Sequence, residues 1–73
     1  MYNLFAMDAA VMFTPSDSGK TVIVRVCPWS EAQGGFEFSN KRMKRLRADR
    51  ARALYVALYN KGYTTDIDRV VRH

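Results

Sequence analysis

Cysteine and histidine are almost missing from this chain: of its 73 residues, only Cys27 and His73 belong to those two types. A single cysteine excludes an intramolecular disulfide, and nothing near Cys27 has the paired Cys or His spacing of a structural zinc site. A reducing cytoplasm is the expected compartment, and neither a metal nor another cofactor is expected. Long apolar runs are missing too. None approaches the roughly 20 residues of a membrane-spanning helix. The apolar segment Met1 to Phe13 carries Asp8 at its middle and has no basic n-region or small-residue cleavage pattern, so it does not read as a signal peptide. The expectation is a soluble protein with no membrane partner.

The same scarcity bears on chemistry. Catalysis by side chains usually recruits a histidine, a reactive cysteine with its base, or two carboxylates held close. Here His73 is the last residue, Cys27 lies in an apolar run, and the carboxylates are scattered. Asp66 and Asp68 would face apart on a helix. Gly34 and Gly35 match neither phosphate-loop pattern, and Gly19-Lys20-Thr21 lacks the upstream glycine. A protein that is not an enzyme and takes no small-molecule substrate is expected.

What the chain does have is an apolar fraction of 48%, rich enough for one core, in a length that holds one domain spanning residues 1–73. It also has a net charge of +5 that is unevenly placed. Lys41, Arg42, Lys44, Arg45, Arg47, Arg50 and Arg52 face a single acid, Asp49, within twelve residues, whereas the remainder carries five basic and six acidic groups. All the excess positive charge therefore sits in one stretch.

Periodicity supplies the elements. Phe5, Met7, Ala9, Val11 and Phe13 alternate, which predicts a mostly buried strand over about 3–13, with a helix as the rival. Residues 14–20 (TPSDSGK) combine Pro15, Asp17, Ser18 and Gly19, a hairpin-loop composition. Thr21 to Cys27 is the clearest strand, with Val22, Val24 and Val26 on one face and Arg25 on the other, ended by Pro28. After the loop SEAQGG, Phe36 and Phe38 alternate with Glu37 in a short strand over about 36–39. A helix is predicted over about 41–60, capped by Ser39 or Asn40 and closed by Gly62 in a left-handed conformation. Its apolar face would comprise Met43, Leu46, Ala53, Leu54, Ala57 and Leu58, with the stem of Arg50 packed among them. A last element over about 65–71 is a short helix with Thr65 and Asp68 as a capping pair, or a fourth strand. The fold class is α+β: a three-stranded antiparallel sheet packed on one long helix.

On that helix Lys41, Arg45, Arg52, Tyr55 and Tyr59 would form one outward stripe, with Arg42 and Lys44 close by. Like charges at helical spacing repel unless something neutralises them. Cations in the first turns also oppose the helix dipole, so an external anion is called for. Arginine suits phosphate and carboxylate equally. Tyr55 and Tyr59 could stack on bases. Trp29, beside Pro28 at a strand end, is a candidate interface anchor. The expected contact residues are thus Lys41, Arg42, Lys44, Arg45, Arg52, Tyr55, Tyr59 and Trp29.

In outline, three strands packed on one helix resemble the small DNA-binding arms of phage-type integrases, which read DNA with the sheet. Beyond Lys20 and Arg25, however, the expected strands carry no repeated basic face. In length, lone cysteine, lack of catalytic residues and single charge patch, the chain resembles the small inhibitors that lytic phages direct against host machines such as bacterial RNA polymerase. That resemblance implies a regulator whose basic helix docks on an acidic surface of a larger assembly. The alternative is direct DNA or RNA binding by the same helix.

Overall fold

The computed structural model describes residues 3–38 and 42–70. Five strands form one antiparallel sheet: β1 (Leu4–Phe5), β2 (Ala9–Pro15), β3 (Thr21–Ser30), β4 (Gly35–Phe36) and β5 (Met43–Arg47). They are followed by one helix, α1 (Ala48–Asn60), and a single 3-10 turn at Ile67–Arg69. The α+β class and the antiparallel sheet expected from the sequence are present, but the strands are more numerous and the helix is shorter.

The segment expected as one strand over 3–13 is a hairpin. Ala6 donates a backbone hydrogen bond to the Ala9 carbonyl (2.8 Å), so Met7 and Asp8 form the turn between β1 and β2. Asp is a common turn former, and here its position overrides the alternation that had linked Phe5 to Phe13. Phe5 consequently faces away from Val11 and Phe13, and Met7 is exposed. Leu4, directly opposite Val11, takes the core position instead.

The β2–β3 hairpin closes where the turn composition predicted it, with the Gly19 N–H reaching the Ser16 carbonyl (3.0 Å) and Gly19 at φ 74°. Contrary to expectation, β3 runs through Pro28 to Ser30. The Trp29 N–H points at β2, donating to the Asp8 carbonyl (2.8 Å). By the alternation of a strand, the nitrogen of Pro28 faces the other edge, where β4 pairs with β3 only at Trp29 and Ser30. The missing donor thus falls at the sheet margin, where proline is tolerated.

The largest departure concerns the predicted long helix. Met43–Arg47 is a strand, registered antiparallel on β3 from Thr21 opposite Arg47 to Arg25 opposite Met43. Only residues 48–60 are helical, and the flanking N-cap position belongs to Arg47, not to Ser39 or Asn40, which lie outside the described residues along with residue 41. Helix propensity favours Met, Lys, Arg and Leu by only tenths of a kcal/mol each. Pairing with β3 over residues 21–25 instead adds inter-strand backbone hydrogen bonds, each contributing about 0.5–1.5 kcal/mol net, which together outweigh those tenths. Pairing also sets Leu46 opposite Val22, inside the core.

α1 crosses one face of the sheet, packing on β3, β5 and β1. Residues directly opposite one another on paired strands share a face. Leu4, Val11, Phe13, Val22 and Val24 are buried there against Ala51, with Leu54, Tyr55 and Leu58 packed alongside. The inward positions at 51, 54, 55 and 58 follow one helical stripe, rotated from the expected one: Ala53, Ala57 and Arg50 are exposed, and Met43 is not on the helix at all. Gly62 ends the helix at φ 104°, in the left-handed role foreseen for it. The chain then returns to the free edge of β1, where Thr64 and Phe5 exchange both backbone hydrogen bonds (2.8 and 2.9 Å). The last described element is the 3-10 turn, capped by the Asp66 carboxylate accepting from the Asp68 N–H (3.0 Å) and not by Thr65. Among the described residues, no helix is long and apolar enough to cross a membrane.

Candidate anion-binding face

The sheet has a second face, away from α1. On it β2 sets Ala10, Met12 and Thr14; β3 sets Thr21, Ile23, Arg25, Cys27 and Trp29; and β5 sets Met43, Arg45 and Arg47. None of these residues is acidic. At the β4 end the face is covered by a small cluster in which Ala10, Cys27 and Phe36 are buried, with Phe5, Met12, Trp29 and Val70 packed against it. The other end carries the arginines.

Arg45 stands opposite Ile23, Arg47 opposite Thr21, and Arg25 opposite Met43. Arg25 and Arg45 are therefore diagonal neighbours across the β3–β5 pair, about 7–8 Å apart at Cα. Arg45 and Arg47 are two residues apart on one strand, about 7 Å. Three arginines thus stand on one area of the sheet, interleaved with Ile23 and Met43. Arg47 reaches Asp49 at 3.5 Å, with both side chains largely in solvent, and such pairs contribute little.

Charged residues on an edge strand often serve only to keep it from pairing with another chain. That purpose accounts for cations on β5. It does not account for Arg25, which sits on β3 with β2 on one side and β5 on the other. The Nε of Arg25 is buried and has no hydrogen-bond partner among the described residues. A buried donor left without an acceptor costs about 1–3 kcal/mol, so edge protection leaves the placement of Arg25 unexplained.

The residues singled out from the sequence are dispersed by this geometry. Of the described cations among them, Arg45 alone is on this sheet face, with Trp29 at its far end. Lys44 is exposed on β5 opposite Val24, directed to the α1 side, and Arg42 is exposed just ahead of β5. Lys41 lies outside the described residues. Arg52 is exposed on α1, beside an open cleft it shares with Ala48 and Asp49. Tyr55 is not outward: its ring meets Phe13 edge to face at 5.4 Å between centroids. Tyr59 is 58% exposed and lines an open hollow between the end of α1 and the residues around Thr64. Trp29 packs edge to face on Phe36 at 5.1 Å, at the far end of the arginine-bearing face. The expected single stripe is therefore two surfaces on opposite sides of the sheet. The first turn of α1 holds Asp49 and not the expected run of cations, and a negative charge is favourable at that end of the helix dipole.

Arg25 and Arg47 were not among the expected contact residues. The signal that could have found them is the alternation of Arg45 and Arg47 around Leu46, a period-two pattern in phase with Val22 and Val24 once β5 is paired. Burial pushes the Cys27 thiol above the ordinary thiol range, with Arg25 partly opposing the shift. It stays a neutral, packed group. No protein-family model, curated protein or solved structure matches this chain.

Proposed function

We propose that the protein binds nucleic acid through the open sheet face, with Arg25, Arg45 and Arg47 contacting phosphates. The observation that carries this reading is the placement of three arginines, from a central and an edge strand, on one sheet face whose strand residues include no acid, with Asp49 of α1 reaching Arg47. An acidic protein partner ranks first only if the basic groups belong to one helix and the strands are neutral. With β5 in the sheet, the positive charge spans strand and helix, which is the wider footprint that a polyanion requires. Arginine adds bidentate geometry suited to phosphate oxygens.

A second reading, a regulator docking on an acidic surface of a larger assembly such as bacterial RNA polymerase, is favoured by one observation. Arg52, Val56 and Tyr59 make an exposed mixed stripe on α1, on the opposite side of the sheet. The two are separated by gel shift on random DNA and RNA beside a pull-down from bacterial lysate with and without nuclease. Nucleic-acid binding gives a shift that Arg45→Glu with Arg47→Glu abolishes, and nuclease-sensitive capture. Nuclease-resistant recovery of polymerase subunits with no gel shift would sink the nucleic-acid reading.

A further inference from the structure

The arginine-bearing face does not run out into polar surface. Along β3 it continues from Arg25 past buried Cys27 to Trp29, about 13 Å further at 3.3 Å per residue. Trp29 stands opposite Phe36, whose buried ring is 5.1 Å from the indole, 6.0 Å from Phe5 and 6.5 Å from Phe38. Phe38 is the outermost ring of this group and remains 59% exposed. On the arginine side, Met43 is 48% exposed and stands opposite Arg25. A packed aromatic cluster thus presents one ring to solvent on the same face as three cations.

We infer that this face takes single-stranded nucleic acid, the arginines holding phosphates while an unpaired base stacks on Phe38. The inference rests on the nucleic-acid reading above and adds the class of strand. In a duplex the base faces are already covered by their neighbours, so a flat aromatic ring has nothing to stack on, and only the arginines could engage. A single strand exposes both the phosphates and the π-faces, and the sheet offers a partner for each. Phe36 backs the Phe38 ring at 6.5 Å between centroids, and Trp29 in turn packs on Phe36.

The test uses the full chain and fluorescence anisotropy with three labelled probes: an oligothymidylate, an oligouridylate and a blunt duplex. Wild type is expected to bind the single strands more tightly than the duplex. Phe38→Ala and Phe38→Leu should each weaken single-strand binding about tenfold and leave duplex binding unchanged, since stacking is lost and the phosphate contacts stay. Phe38→Trp should retain single-strand affinity. Thermal melting of each variant confirms an intact fold. If Arg45→Glu weakens single-strand binding but Phe38→Ala does not, the stacking role is overturned while nucleic-acid binding stands. Equal loss on single strand and duplex, or full retention by Phe38→Leu, also overturns it, because packing alone then explains Phe38. Failure of wild type to bind any probe removes both this inference and the reading beneath it.

Discussion

Replacing Arg45 by Ala, beside Arg52→Ala, distinguishes a binding sheet from a binding helix. On one continuous helix the two arginines would share a stripe and contribute alike. In the structure Arg45 is on β5, on the face away from α1, whereas Arg52 is on α1 itself. For a single strand, each neutralised phosphate contributes about 0.7 to the slope of log affinity against log salt. Three arginines on the sheet face therefore give a slope near −2, and Arg45→Ala should reduce it to about −1.4. At about 0.1 M salt, the salt-dependent part of one such contact is about 0.7 decade, a roughly fivefold loss of affinity or about 1 kcal/mol. Both side chains are exposed, so neither substitution should change stability by more than about 0.5 kcal/mol. Anisotropy titrations of a labelled oligothymidylate between about 50 and 200 mM salt read slope and affinity together. The expected result is the full change in Arg45→Ala and none in Arg52→Ala. Equal losses of affinity and slope in both variants would refute the sheet as the binding face.

Two further outcomes test the fold itself. Leu4 is fully buried opposite Val11, so Leu4→Ala should cost about 2–5 kcal/mol and lower the melting temperature by about 10 °C or more; a shift under about 5 °C would mean that β1 is not part of the core. Burial, with Asp8 adding to it, raises the Tyr63 phenol above its ordinary range, and burial raises the Cys27 thiol despite Arg25. Both groups are acids that the folded state keeps neutral, so the unfolded chain loses these protons first. Stability should hold below the ordinary thiol and phenol range and fall as pH climbs through roughly 8.5 to 10 and beyond. Denaturant midpoints measured across that interval check the sign, and a midpoint rising with pH would contradict it.

How far the sequence could be read depends on how local each determinant was. Val22, Val24 and Val26 alternate within a β-branched run, so β3 and its two faces follow from residues side by side in the chain. Asp17, Ser18 and Gly19 make a turn wherever they stand, and Gly62 stops a helix because the left-handed conformation it adopts is cheap only for glycine. The concentration of positive charge between residues 41 and 52 is likewise a property of sequence alone. The Met7–Asp8 turn was harder to see, because one acid in an alternating apolar run reads equally as a solvent-facing strand position.

Tertiary structure decided where the cations meet. Met43 and Leu46 are spaced as a helix would space them, and Lys44, Arg45 and Arg47 are compatible with either backbone. What makes the segment a strand is its pairing with the edge of β3, about twenty residues earlier in the chain, whose added hydrogen bonds and the packing of Leu46 on the core outweigh small differences in propensity. That single pairing removed Tyr55 from the expected outward stripe by shifting the helix start, and turned Arg45 and Arg47 to the face that Arg25 already occupied. A charge count is additive along the sequence, but the surface on which charges meet is set by non-local backbone pairing.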